Sequence, residues 1–214
     1  MSLVYRILRA VKNRYGSTNE IGVFKMGSQG LSEVINPSAL MLMGRAKGAS
    51  GTCVACMLEG TRPILIEVQA LVTRTGFGLP RRISTGFEYN RMCLIIAILE
   101  KRIGLSFSSM DSYINIVGGF DLSEPAADLP VALALVSALK NIALPDGLVA
   151  FGELGLSGEV RSIRNAEQRV DESKRLGFDC CMMPTINVHE KNISIGVDSI
   201  KDAVNLLFGT RLSP

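Results

Sequence analysis

The sequence predicts an α/β domain, a mixed sheet covered by helices, and three features of the chain predict it. A strand over residues 113–117 runs through Gly118-Gly119 into a segment reaching Lys140 that is apolar at nearly every position, the mark of a helix buried on all sides. Strand and helix patterns alternate along the chain, which favours a sheet with parallel neighbours. Glycine-bearing hairpins interrupt that alternation and add antiparallel pairs.

Taken in order, Met1-Ser2-Leu3 reads as a cloning remnant, and residues 4–11 as a strand with no partner of its own, the end of another folded unit. Polar, turn-rich residues 12–20 form a linker to a strand over 21–25. A turn at 27–30 leads to residues 31–35, and Asn36-Pro37 opens a short helix with a cap and a proline at its first position. After a glycine-rich loop at 44–51, strands over 52–58 and 63–72 flank Glu59-Gly60-Thr61-Arg62, a hairpin signal. Residues 73–84, with Gly76, Gly78 and Pro80, are expected to form one long mobile loop, and such loops inside compact domains tend to carry function. Asn90 is expected to cap a helix through Ile103 that stops at Gly104. Beyond the central helix come a strand over 147–151 and a hairpin over 152–161. Asn165 and Gln168 have the spacing of a capping box for a helix to Leu176, closed by Gly177. A buried strand over 179–183 and a last helix over 200–208, capped by Ser199, complete the pattern.

With 47% hydrophobic and 20% charged residues in 214, the composition is that of a globular domain with a proper core. No apolar run approaches the ~20 residues of a membrane span and no signal segment opens the chain, so a cytoplasmic protein with no membrane partner is expected. Five cysteines, all in apolar runs, read as buried reduced thiols. Cys53 and Cys56 have the spacing of a metal pair, yet on a strand residues three apart face opposite sides. No metal site is expected from them. The single histidine, His189, sits in a polar stretch and reads as a surface residue.

The net charge of +3 is small, but Arg74, Arg81, Arg82 and Arg91 fall within one short stretch. A solvated loop and helix face explains such a run, and so does a phosphate-binding patch.

Two resemblances bear on the choice. Gly118-Gly119 through Ala134, Gly152-Glu153-Leu154, Gly158-Glu159-Val160-Arg161, the helix from Asn165 and Met183-Pro184 resemble the proteolytic domain of Lon-type proteases, which implies a Lon-protease-like domain with ribosomal-protein-domain-like architecture over residues 21–214. Lys12-Asn13-Arg14-Tyr15-Gly16 is similar to the KNRFG signature of the RadA (Sms) family of bacterial DNA-repair proteins, with tyrosine for phenylalanine. Gly22-Val23-Phe24, Glu59 to Pro63, Glu67 to Leu71 and Pro80-Arg81-Arg82 extend the likeness. Residues 1–20 then correspond to the end of a RecA-like ATPase core.

The protease resemblance implies a serine nucleophile and a lysine base, but aligned on Pro125 these positions hold Ala126 and Arg169. Alanine has no nucleophilic atom, and a guanidinium keeps its proton in a protein. Ser123 and Lys174 are the neighbours that would have to substitute. The second resemblance implies a piece of a DNA-dependent ATPase acting on recombination intermediates. Lys12 and Arg14 would reach toward ATP on the neighbouring subunit, where a cation supplied in trans stabilises phosphoryl transfer. ATP with Mg and a structural zinc would belong to N-terminal parts beyond this chain. Implied partners are DNA, held through its backbone by the four arginines, a hexameric ring of like chains, and a RecA-type recombinase. Ile64, Leu65 and Met41 are expected to be surplus to one core and available for ring contacts.

Overall fold

The computed structural model of the chain describes residues 5–9, 21–27, 30–76, 78–189 and 193–209. Lys12 and Arg14 lie outside the described residues. Strands β1 (Tyr5–Arg9), β2 (Ile21–Gly27) and β3 (Gly30–Glu33) form an antiparallel sheet in that order. The expectation that the first segment lacks a partner is corrected: Tyr5 pairs with Lys25 and Arg9 with Ile21, so β1 is hydrogen-bonded across the boundary expected at residue 20.

Helix α1 (Pro37–Met41) is capped by Asn36, whose side chain accepts from Ala39 N at 3.0 Å. Strands β4 (Thr52–Glu59) and β5 (Arg62–Arg74) are the antiparallel hairpin read from the sequence, each longer than expected. Strand β6 (Arg82–Thr85) was not legible, and it shortens the expected long loop to residues 75–81. In α2 (Tyr89–Ile98) the cap is Glu88 rather than Asn90: its carboxylate accepts from Asn90 N at 2.8 Å and Arg91 N at 2.6 Å. The helix continues as π-helical turns, Leu99–Ile103, to Gly104 in the left-handed conformation.

Strand β7 (Met110–Ile116) is followed by Gly118, whose φ of +91° turns the chain where a β-carbon would meet the Met41 sulfur. A 3-10 turn, Pro125–Ala127, leads into α3 (Asp128–Lys140), buried from Asp128 through Ser137, as a helix apolar on all sides must be. Next come β8 (Leu148–Ala150), the short hairpin β9 (Glu153–Leu154) and β10 (Val160–Arg161), and α4 (Ala166–Arg175). At α4 the expected capping box does not form. Asn165 is left-handed, and its side-chain amide donates to Gln168 Oε1 at 2.8 Å instead of bonding the helix backbone. Strands β11 (Cys180–Pro184) and β12 (Ser194–Val197) precede α5 (Ile200–Phe208), whose Ser199 cap accepts from Asp202 N.

The main sheet has seven strands in the order β12-β11-β8-β4-β5-β7-β6, with β4-β5 and β5-β7 antiparallel and the remaining pairs parallel. It is a mixed α/β fold. Alternate residues of β5 feed two cores: Ile64, Ile66 and Val68 pack with α2, α3 and α5, while Leu65 packs with Ala126, Phe151 and Ala166 on the side of α4. Ile64, Leu65 and Met41 are thus core residues, which corrects their expected place on a contact surface. Cys53 and Cys56 belong to opposite cores, and burial pushes the Cys53 thiol up to about 12. Among the described residues no helix is long and apolar enough to cross a membrane.

Candidate functional site

Two places in the fold collect the residues singled out from the sequence. The first is the entrance of α3, where Ala126 and Arg169 line one cavity of 410 Å³ together with Leu58, Glu124, Glu153, Ser162 and Arg164. Ala126 is held by its backbone, its carbonyl accepting from Gly152 N at 2.8 Å. The Arg169 side chain is 1% exposed and makes a two-pronged ion pair with Glu124, at 2.9 Å from Nη1 to Oε1 and 2.6 Å from Nη2 to Oε2. It also donates to the carbonyls of Cys56 and Arg164, and its guanidinium lies 5.9 Å from the Phe151 ring centroid. Glu124 in turn accepts from Leu58 N at 2.9 Å.

A buried guanidinium is tolerable only when a carboxylate and further acceptors surround it, and here they do. The result is a clamp that ties α4 to β4 and to the turn before α3. The cavity wall offers a hydroxyl at Ser162 but neither lysine nor histidine. Ser123 is exposed and not on that wall, and Lys174 lines a different cavity beside Asp171 and His189, so these two are not brought together. His189 is exposed, as expected.

Arg91 also belongs to this region, and its expected place among outward-reaching arginines is corrected. Its Nε donates to Asp128 Oδ1 at 2.8 Å, its Nη2 donates to Asp128 Oδ2, and Nη2 reaches the Leu154 carbonyl at 3.1 Å. Asp128 is 1% exposed and accepts from Leu154 N as well. Burial raises the Asp128 carboxyl above the usual range, and the Arg91 hydrogen bond works against that rise. Arg91 therefore neutralises a charge at the first residue of α3. Glu124 and Asp128, which sequence reasoning left without roles, are the acids that occupy these arginines. The signal was present in principle, since a buried arginine requires a carboxylate and both acids flank Ala126.

The second place is the far end of the sheet, where β5, β7 and β6 lie side by side. The end of β5 and the start of β6 flank β7, with Arg74 opposite Met110 and Arg82 opposite Ser112. Loop 75–81 joins them, and its base is fixed by one side chain: Asp111 Oδ1 accepts from the Thr75 hydroxyl at 2.9 Å and from Arg81 N at 2.8 Å. Those hydrogen bonds, the one from the Arg81 backbone first, hold the Asp111 carboxyl below its ordinary range. Thr75 N donates to Ser109 O at 2.9 Å and Ser112 N to Arg81 O at 2.8 Å, closing the base from both sides. Arg74 and Arg81 are exposed. Arg82 is half-buried, with Nη1 out of solvent and without a hydrogen-bond partner, so the outward-facing cations of the four are Arg74 and Arg81.

A family model described as subunit ChlI of Mg-chelatase matches residues 90–187, which takes in both α3 and α4. Over 210 residues the chain is 46% identical to DNA repair protein RadA of Halalkalibacterium halodurans, covering 96% of this chain and 46% of that protein. The chain is homologous to the C-terminal half of RadA. RadA of Bacillus subtilis is 44% identical over 210 residues, 96% of this chain and 46% of its own length. RadA of Streptococcus pneumoniae is 47% identical over 209 residues, 95% of this chain and 50% of its own length. The chain thus spans about half the length of the RadA proteins it matches.

Proposed function

We propose that the chain is the DNA-holding, ring-forming module of a DNA-dependent ATPase that acts on recombination intermediates in the cytoplasm. The observation that carries this reading is the pair of exposed arginines, Arg74 at the end of β5 and Arg81 at the end of the loop that follows it, whose base is fixed by Asp111, in a chain homologous to a DNA repair protein. Guanidinium groups presented this way hold phosphates and release counterions without reading bases, which suits a protein that must slide.

We read the domain as Lon-protease-like, with its catalytic pair replaced by a structural one. Ala126 supplies no nucleophile, and Arg169 is locked to Glu124. Restoring serine and lysine does not restore cleavage in this reading, because a lysine beside the Glu124 carboxylate stays protonated and cannot act as a base. Ring formation is supported by an exposed cross-strand row: Leu71 and Ile83 are 61% and 49% exposed, and each pairs with Tyr113 of β7. In the ring, Lys12 and Arg14 approach ATP held by a neighbouring subunit, whose nucleotide and zinc sites lie in parts beyond this chain. A RecA-type recombinase is the partner at the DNA.

DNA binding and casein turnover measured on one preparation test the proposal. Salt-sensitive binding with intact casein is the expected result. Casein cleavage that persists through repurification, or no binding at low salt, overturns it.

A further inference from the structure

Loop 75–81 carries more than the outward cation Arg81. Leu79 is 88% exposed, the highest exposure of any large apolar residue among the described residues. One exposed leucine is ordinary on a protein surface, but this one lies between two exposed arginines, two residues before the Arg81 backbone that Asp111 anchors. It is followed by Pro80, whose ring fixes its own φ and biases Leu79 toward extended backbone. Arg74 and Arg81, both exposed, stand at the two ends of the loop. The carboxylate at its base, Asp111, already accepts from Thr75 and Arg81 N.

An apolar side chain flanked by phosphate-holding cations is the arrangement by which proteins enter a base stack. Opening an intact step costs stacking energy, whereas a nick or gap presents a step that is already weakened. We propose that Leu79 is a wedge that recognises interrupted DNA: it enters the open step, while the exposed Arg74 and Arg81 hold neighbouring phosphates. The inference rests on the DNA-binding reading of the same loop and adds the kind of DNA it selects.

The test uses the 214-residue chain, a short fluorescent duplex, and the same duplex with one nick bearing 2-aminopurine beside it. The parent protein is expected to bind the nicked duplex roughly tenfold more tightly than the intact one and to brighten the 2-aminopurine. Leu79→Ala is expected to bind both duplexes alike, at the parent's affinity for intact DNA and with an unchanged salt slope, while Leu79→Met keeps the preference. If Leu79→Ala still prefers the nicked duplex and still brightens the probe, the wedge is wrong, although the backbone-holding role of Arg81 stands as long as Arg81→Ala flattens the salt slope. If the parent binds neither duplex, the DNA-binding reading fails and the wedge fails with it.

Discussion

Arg169 shows how a single residue type decides what a site can do. Its partner in the ion pair, Glu124, lies 45 positions earlier in the chain, and neither side chain is intelligible without the other. The sequence was enough to say that an arginine cannot serve as a base. It did not show which carboxylate would neutralise it, because that pairing exists only once α4 packs over β4. Replacing Arg169 with methionine leaves Glu124 partly buried and unpaired, and is expected to lower unfolding free energy by about 3–5 kcal/mol in denaturant titrations. Arg91→Ala strands the buried Asp128 carboxylate in the same way, but the arginine side chain is 32% exposed and solvent offsets part of the loss. A cost of about 1–3 kcal/mol is expected there. The Arg91–Asp128 pair was not foreseen because spacing in a sequence does not reveal which way a helix turns a side chain.

At the scale of elements, α3 was legible because an apolar surface on every side admits one environment, the interior. The hairpin of β4 and β5 was legible because Gly60 and its polar neighbours mark the turn. Strand β6 was hidden: four residues, Arg82–Thr85, carry little pattern, and their parallel partner, Ser112–Asn115, lies about thirty residues on, with α2 between. The cap of α2 was misplaced by two residues because a glutamate can also accept from the first free N–H groups, and Glu88 does so. Glu88→Ala is therefore expected to cost about 1 kcal/mol, against about 0.5 or less for Asn90→Ala, in thermal unfolding. In β5, Glu67 is buried with Oε1 lacking a hydrogen-bond partner, and burial raises its carboxyl above the ordinary range. The folded state then holds the Glu67 proton more tightly than the unfolded chain, so this group weakens the fold as pH rises from the usual carboxylate range through the raised value. Glu67→Gln is expected to gain melting temperature over the parent across that window, and the gain should level off above it.

For the whole molecule, the basic stretch was visible in the sequence, but its division of labour was not. Four arginines separate into two that face outward, Arg74 and Arg81, one half-buried, Arg82, and one bound to Asp128, Arg91. The start of β6 at Arg82 and the pairing of Arg91 with Asp128 made that division, and both depend on tertiary packing. The most direct test is the slope of log affinity for duplex DNA against log salt, measured for the parent, Arg74→Ala/Arg81→Ala and Arg91→Ala. Each phosphate contact contributes about 0.9 to the slope, so the double variant is expected to bind all sequences more weakly with a slope flatter by about two units, and Arg91→Ala to keep the parent slope. A double variant that binds as tightly as the parent with an unchanged slope would show that this loop does not hold DNA.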